Sequence, residues 1–196
     1  MKVPVKLAVL LSGSGRTLQN LIDRIDDGSL KAEITAVVSS RSDAYGLERA
    51  RLRGLPTHVV ERRAFLDTAA FSDAMTSLLG TIQFDLVILA GFLNLYLFPP
   101  KWAGQVLNIH PGLLPAFGGK GFYGHRVHEA VLAAGAKESG CTVHFAGLEY
   151  DSGPIILQER VPVLPGDTSD TLADRVFRAE CVAYPEAIRR VAAERD

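Results

Sequence analysis

The segment Val106-Leu107-Asn108-Ile109-His110-Pro111 organises the rest of the chain. Its apolar start predicts the buried end of a β-strand, and the two-residue spacing of Asn108 and His110 puts both side chains on one face. Pro111 cannot donate to a sheet ladder, so the strand is expected to end there. An amide can hold a developing oxyanion, and an imidazole can move a proton near neutral pH. Because open α/β sheets bind ligands at this edge, the segment predicts an acyl-transfer site.

Length and composition narrow the class of protein. The 196 residues, 47% hydrophobic with a net charge of −1, predict one globular domain over residues 1–196. So small a charge gives no field that attracts nucleic acid or an anionic membrane. The apolar run over residues 6–11 is too short to span a membrane, and the glycine turn after it is unlike a signal-peptide cleavage site. Cys141 and Cys181 form no CxxC motif, so we expect two buried free thiols in a cytoplasmic protein.

Strand and helix patterns alternate along the first half of the chain. Strands are predicted over residues 3–11, 34–39, 57–60 and 84–90, and helices from about residue 17, over 43–53 and over 67–79. The second half predicts a helix over 125–134, a half-buried strand over 141–145 paired antiparallel with one over 155–163, and a last helix from 166–168. This order predicts an α/β fold with a mostly parallel central sheet, helices on both faces and an antiparallel C-terminal extension.

Three segments are expected at the carboxyl edge of that sheet. The glycine turn over residues 12–17 joins a strand to a helix, an arrangement that binds phosphate through free amides, with Thr17 as the predicted N-cap. It matches neither the dinucleotide fingerprint nor a Walker A loop, so a tight turn that binds nothing is the alternative. Residues 91–96 predict a pocket wall for a flat apolar group, or plain core. The glycine-rich loop over 112–124 has the length of many functional loops.

A resemblance to a known family rests on seven motifs. They are SGSGRTLQNLID (12–23), AYGLERAR (44–51), LAGF (89–92), LNIHPGLLPAF (107–117), GCTVHF (140–145), DSGPIILQ (151–158) and AYPEAI (183–188). With these motifs, the chain resembles the phosphoribosylglycinamide formyltransferases over nearly its whole length. The resemblance implies a Rossmann-like formyltransferase fold, present as a monomer or homodimer. It also implies transfer of the formyl group of 10-formyltetrahydrofolate, a co-substrate, to the amine of glycinamide ribonucleotide in purine biosynthesis, without a metal.

The resemblance also implies roles for individual residues. Asn108 would hold the formyl oxygen, His110 would act as general acid and base, and Asp151 would orient His110. The remaining expected residues fall into three groups: ribotide contacts at Ser14, Gly15, Arg16, Thr17 and Glu180; folate contacts at Leu93, Asn94, Leu95, Tyr96, Glu149 and Tyr150; and supporting residues Thr142, His128 and His144.

The sequence departs from the family pattern near both substrates. Residues 15–17 read Gly-Arg-Thr where Gly-Ser-Asn is usual, and Arg16 can add a phosphate contact. Asn94 stands where the family often has arginine. No arginine is evident near Thr68 and Ala69, and the nearest substitutes are the arginines at residues 62 and 63.

Other readings give the chain a different activity. A 10-formyltetrahydrofolate hydrolase shares the Asn108, His110 and Asp151 set but usually carries an additional N-terminal domain. A non-catalytic nucleotide-binding module would use only the glycine turn and would leave those three residues unexplained. His125 and His128 have helical spacing that can suit a metal, but the sequence shows no further ligands to complete a site.

Overall fold

The computed structural model describes residues 4–195. Their strands form one seven-stranded sheet of order β3-β2-β1-β4-β5-β6-β7. The strands are β1 Val5–Leu11, β2 Ala32–Ser39, β3 Thr57–Val59, β4 Leu86–Leu89, β5 Val106–His110, β6 Glu138–Phe145 and β7 Ile155–Pro162. The α-helices are α1 Arg16–Asp26, α2 Tyr45–Leu52, α3 Thr68–Leu79, α4 His125–Ala133 and α5 Ser169–Ala193. Val3, the predicted start of the first strand, lies outside the described residues.

The predicted fold class is confirmed. β1 pairs in parallel with β2 and β4, and β2 pairs in parallel with β3. β6 and β7 pair antiparallel, as predicted for the C-terminal part. By its contacts the chain divides into two compact units, separated between Leu107 and Asn108. The single domain over residues 1–196 stays a prediction.

The core of the first unit is built around β1. Because β1 lies between β2 and β4, its edges are both paired. Leu7 to Leu11 are completely buried, which explains why the strand reads as a continuous apolar run instead of alternating.

The start of α1 differs from the prediction. Thr17 is not the N-cap: the helix begins at Arg16, and Gly15 caps it with a left-handed φ of 70° and no side-chain hydrogen bond. A Cβ at Gly15 would lie 2.5 Å from the Cα of Gly46, so the turn has room for glycine alone. The close approach of α2 therefore decides where α1 starts.

β6 is more buried than its alternating sequence predicts. All residues from Ser139 to His144 are buried, whereas a half-buried strand was expected. β6 lies between β5 and β7 in the sheet, and its polar side chains Thr142 and His144 are satisfied by hydrogen bonds. A polar residue on a strand therefore does not mark a solvated face here, since its partners are internal.

The last helix begins where the sequence predicted. Thr168 is the N-cap of α5: its side chain accepts from the backbone N–H of Thr171, and the Thr171 side chain accepts from the backbone N–H of Thr168. Both cysteines are free thiols; Cys141 is buried as predicted, but Cys181 on α5 is only half-buried. Within residues 4–195, no helix has the length and apolarity needed to cross a membrane.

Phe71 tests the packing of the first unit. Its ring is completely buried on α3, between Phe65 at 5.9 Å and Phe92 at 6.2 Å between centroids. We expect Phe71→Ala to lower the free energy of unfolding by about 3–5 kcal/mol, because the vacated space cannot fully collapse. Urea unfolding measures the change. The fully exposed Leu66 supplies the control, since Leu66→Ala should stay within about 0.5 kcal/mol of the parent. Equal losses in the two variants would contradict this packing.

Candidate active site

The predicted polar pair lies at the carboxyl end of β5, in the second unit. Asn108 is half-buried and His110 is 2% exposed. Asp151, from the turn between β6 and β7, completes the cluster. Its Oδ2 lies 3.3 Å from Nδ1 of His110, and its Oδ1 accepts from Nδ2 of Asn108 at 3.4 Å. The structure thus brings together the three residues predicted to be catalytic.

The carboxylate of Asp151 is fixed by the backbone conformation of this residue and by a hydrogen bond from a third donor, in addition to His110 and Asn108. Its φ of 52° is left-handed, a conformation that a non-glycine residue keeps only where its surroundings enforce it. The backbone N–H of Gly119 donates to Oδ2 at 2.9 Å. Burial opposes the charge of this carboxylate, but the hydrogen bond and charge of His110 outweigh it and hold the pKa of Asp151 below its usual value. The group is therefore an anion at neutral pH.

The ring of His110 faces an acceptor on each side. Nδ1 points to the Asp151 carboxylate, and Nε2 lies 2.9 Å from the carbonyl oxygen of Phe117. Only the imidazolium form can donate to both acceptors at once. Phe117 has a left-handed φ of 55°, so its carbonyl is directed by a constrained turn of the glycine-rich loop.

His144 determines the orientation of the Asn108 amide. Its Nδ1 lies 2.9 Å from the carbonyl of Phe145, which can only accept, so Nδ1 carries the proton. Burial is the main cause that lowers the pKa of His144, so the ring is neutral at pH 7 and its Nε2 is an acceptor. That nitrogen lies 3.0 Å from Nδ2 of Asn108. The Asn108 amide nitrogen therefore donates to His144 and, over a longer distance, to Asp151.

Thr142 braces the backbone that follows His110. Its hydroxyl donates to the carbonyl of Gly112 at 2.7 Å and accepts from the N–H of Leu114 at 3.0 Å. Gln158 on β7 donates to the same hydroxyl and to the Leu114 carbonyl, each at 2.9 Å. The peptide bond between Leu114 and Pro115 is cis. Gln158 was not singled out from the sequence, because its position opposite Thr142 depends on strand register.

His128 is a buried histidine without a compensating carboxylate. It lies on α4 at 3% exposure, and its Nδ1 has no hydrogen-bond partner among the described residues. Burial, and secondarily the charges of His125 and His110, lower the pKa of His128 to about 4. The ring of His128 is therefore neutral over the physiological pH range, and any supporting role must be filled by this neutral form.

The predicted phosphate turn lies in the first unit. Ser14 and Arg16 are exposed, Gly15 is buried and Thr17 is half-buried. The first N–H groups of a helix have no intrahelical acceptors, so the start of α1 offers donors to an anion. Glu180, expected at the ribose, lies half-buried on α5 in the second unit. Burial, and then the charge of Glu180, raise the pKa of the Cys141 thiol to about 12.

The predicted folate residues have different surroundings. Leu93 is half-exposed, and it borders a cleft of about 410 Å³ in the first unit together with Asn94 and the loop arginines Arg41, Arg62 and Arg63. Leu95 is half-buried.

Three further folate residues separate into core and surface positions. Tyr96 is buried at 3% exposure and its hydroxyl is 2.9 Å from that of Thr76, so its side chain packs in the core. Glu149 and Tyr150 are exposed in the turn before Asp151, in the second unit.

The sequence analysis missed two groups of the site because they are backbone atoms. The carbonyl of Phe117 and the N–H of Gly119 bind the ring of His110 and the carboxylate of Asp151. The only signal was the glycine content of the loop. Within residues 4–195, no three side chains of His, Cys, Asp or Glu are arranged so that they could hold a metal ion.

Comparison with known proteins identifies the family of this chain. The model of the formyl transferase family matches residues 5–188, and the chain belongs to that family. A phosphoribosylglycinamide formyltransferase of Haemophilus influenzae is 38% identical over 186 residues, which cover 94% of this chain and 85% of that protein. The crystal structure of glycinamide ribonucleotide transformylase 1 from Symbiobacterium toebii superposes with a TM-score of 0.87 at 41% identity, covering 96% of this chain and 88% of that one.

Longer relatives contain a similar segment. The trifunctional purine biosynthetic protein adenosine-3 of Bos taurus is 44% identical over 189 residues, which are 95% of this chain but 18% of that protein. The chain therefore spans less than a fifth of the length of this relative. The resemblance found in the sequence motifs is confirmed at the level of the family.

His128 predicts a pH dependence of stability. The unfolded chain takes up this proton near pH 6.5, whereas the folded protein takes it up only near pH 4. Between these values the unfolded state binds more protons, so stability falls as the pH falls. A shift of this size corresponds to about 3 kcal/mol. Urea unfolding at about pH 7 and about pH 4.5 should show a smaller loss in His128→Gln than in the parent protein.

The neighbouring histidine supplies the control. His125 is 55% exposed at its side chain and lies beside Asp170, so His125→Gln should keep the parent's loss of stability on acidification. If His128→Gln and the parent lost equal stability between the two pH values, the inferred neutral ring would be wrong.

Proposed function

We propose that this chain transfers the formyl group of 10-formyltetrahydrofolate to the amine of glycinamide ribonucleotide, a step of purine biosynthesis. The observation that carries the proposal is the cluster at the end of β5, in which one Asp151 carboxylate contacts both Asn108 and His110. Such a cluster supplies an amide donor, a proton carrier and a fixed anion, which are the parts that direct acyl transfer requires. The names of the similar proteins support the ribotide as the formyl acceptor. The folate donor is what the sequence resemblance implies.

Asn108 would stabilise the oxyanion. The substrate amine attacks the formyl carbon, a C–N bond forms, and the carbonyl electron pair moves onto oxygen. The amide of Asn108 has a short contact to His144 and a longer one, 3.4 Å, to Asp151. The longer contact is the weaker, so the amide can exchange it for the developing oxyanion while His144 keeps the group oriented.

His110 would move the proton that the amine loses. In the transfer, that proton leaves the attacking nitrogen and reaches N10 of the folate as the C–N10 bond breaks. The Nε2 atom of His110 is occupied by the Phe117 carbonyl, so substrate must replace this contact. Nδ1 can stay bonded to Asp151, whose negative charge stabilises the imidazolium formed during the relay.

The other predicted residues would bind the substrates or support the catalytic groups. Ser14, Gly15, Arg16 and Thr17 would bind the ribotide phosphate, and Glu180 the ribose. Leu93, Asn94, Leu95, Glu149 and Tyr150 would border the folate, whereas the buried Tyr96 would support that wall by packing. His128, His144 and Thr142 would support the catalytic groups. The proposal includes a cytoplasmic monomer or homodimer that needs no metal.

A folate-release assay tests the proposal. Absorbance reports the loss of the formyl group from the 10-formyl donor, measured with and without glycinamide ribonucleotide. We expect release to require the ribotide, because its amine is the acceptor of the formyl group in the transferase reaction. Equal release without ribotide would instead indicate the hydrolase, and no release in either case would favour a non-catalytic nucleotide-binding module.

Substitution of His110 tests the proton relay. We expect His110→Ala to lower kcat by about two to four orders of magnitude, the usual range for a general acid and base. His125→Ala is the matched control, since this exposed ring should leave kcat unchanged. Steady-state kinetics measure both variants, and a loss below tenfold in His110→Ala would remove His110 from this role.

A further inference from the structure

Helix α2 packs directly against the turn proposed to hold phosphate. The N–H of Gly46 donates to the carbonyl of Gly13 at 3.0 Å. A Cβ at Gly15 would lie 2.5 Å from the Cα of Gly46, and a Cβ at Gly46 would lie 2.5 Å from a methyl carbon of Leu11. The shape of the turn is therefore set by α2 as well as by its own sequence.

Arg49, one helical turn after Gly46, holds the next carbonyl of that turn. Its Nε donates to the carbonyl of Ser14 at 2.9 Å, and its Nη1 donates to Oε1 of Gln19 on α1 at 3.2 Å. Its guanidinium lies over the ring of Tyr45, 5.0 Å from the centroid. Two successive carbonyls, those of Gly13 and Ser14, are thus bonded to α2. A carbonyl oxygen that points at an anion repels it. Because both carbonyl oxygens accept hydrogen bonds from α2, the turn can present its N–H groups to the anion instead.

The charge of Arg49 is not cancelled by a neighbouring acid. Among the described residues, no carboxylate lies within ion-pair distance of its guanidinium, and the side chain is half-buried. Arg51 on the same helix differs, because it pairs with Glu48 at 3.7 Å and its side chain is 57% exposed. A partly buried, unpaired cation beside the turn is weakly screened and favours an anion there.

We propose that Arg49 is a positioning residue for the ribotide phosphate. It fixes the Ser14 carbonyl so that the N–H groups of the turn face the phosphate, and it adds an uncancelled positive charge behind them. The inference rests on the proposed function and assigns to α2 a part in phosphate recognition that the sequence analysis placed only on the turn residues 14–17.

The test compares variants of two arginines on one helix. Arg49→Gln should raise KM for glycinamide ribonucleotide roughly tenfold or more, because a charge-assisted hydrogen bond and a charge are lost. kcat and KM for 10-formyltetrahydrofolate should change less than about threefold, since the catalytic cluster and the proposed folate residues are unchanged. Arg49→Lys keeps the charge and should recover part of the affinity. Arg51→Gln is the control and should behave as the parent protein.

A dephosphorylated ligand separates a phosphate effect from a general loss of structure. The inhibition constant of glycinamide riboside, which lacks the phosphate, should be the same in Arg49→Gln and the parent. If the riboside weakened as much as the ribotide, or if both substrates' KM values and kcat changed together, Arg49 would be a structural residue only. An unchanged KM for the ribotide would also overturn the inference.

The parent protein reports separately on the proposed function. If the parent protein bound riboside and ribotide equally, residues 14–17 would not be a phosphate site. The proposed role of Arg49 would then also be wrong. If the parent protein discriminated between them and Arg49→Gln kept the full discrimination, only the inference about Arg49 would fail.

Discussion

The carboxylate of Asp151 is the point on which the site depends. It receives the ring of His110, the amide of Asn108 and the N–H of Gly119, so it links β5, the glycine-rich loop and the turn after β6. A half-buried anion is costly unless donors surround it, and here three donors converge on two oxygens. Because all three donors share this one carboxylate, its loss would leave each of them without that partner.

The buried histidines of the second unit, His110, His144 and His128, differ in chemical type because their neighbours differ. His110 contacts a carboxylate and can form a stabilised cation during a proton relay. His144 and His128 are equally buried, but burial holds the pKa of each below its usual value. His144 uses its neutral state to accept from Asn108, which fixes the amide. One type of side chain can therefore carry the proton in the proposed reaction or accept a hydrogen bond, according to its neighbours.

Prediction from sequence succeeded where the signal was local and periodic. The buried β1, the antiparallel β6–β7 pair and the start of α5 at Thr168 follow from apolar runs, turn residues and capping chemistry. It failed where a distant segment decided the outcome. Thr17 has the chemistry of an N-cap, yet Gly15 occupies that position because Gly46 lies too close for a side chain. The expected half-exposed face of β6 is buried because its polar groups find internal partners.

The sequence by itself determined the class of fold, the pairing of Asn108 with His110 on one strand face, and the membership of Asp151 in the motif set. These depend on strand periodicity and on short motifs, which the chain carries locally. Only the tertiary structure decided that Asp151 reaches both residues, that the backbone of Phe117 and Gly119 joins them, and that Arg49 holds the Ser14 carbonyl. These contacts join residues from separate elements, and their distances depend on loop paths and strand register that no local pattern specifies.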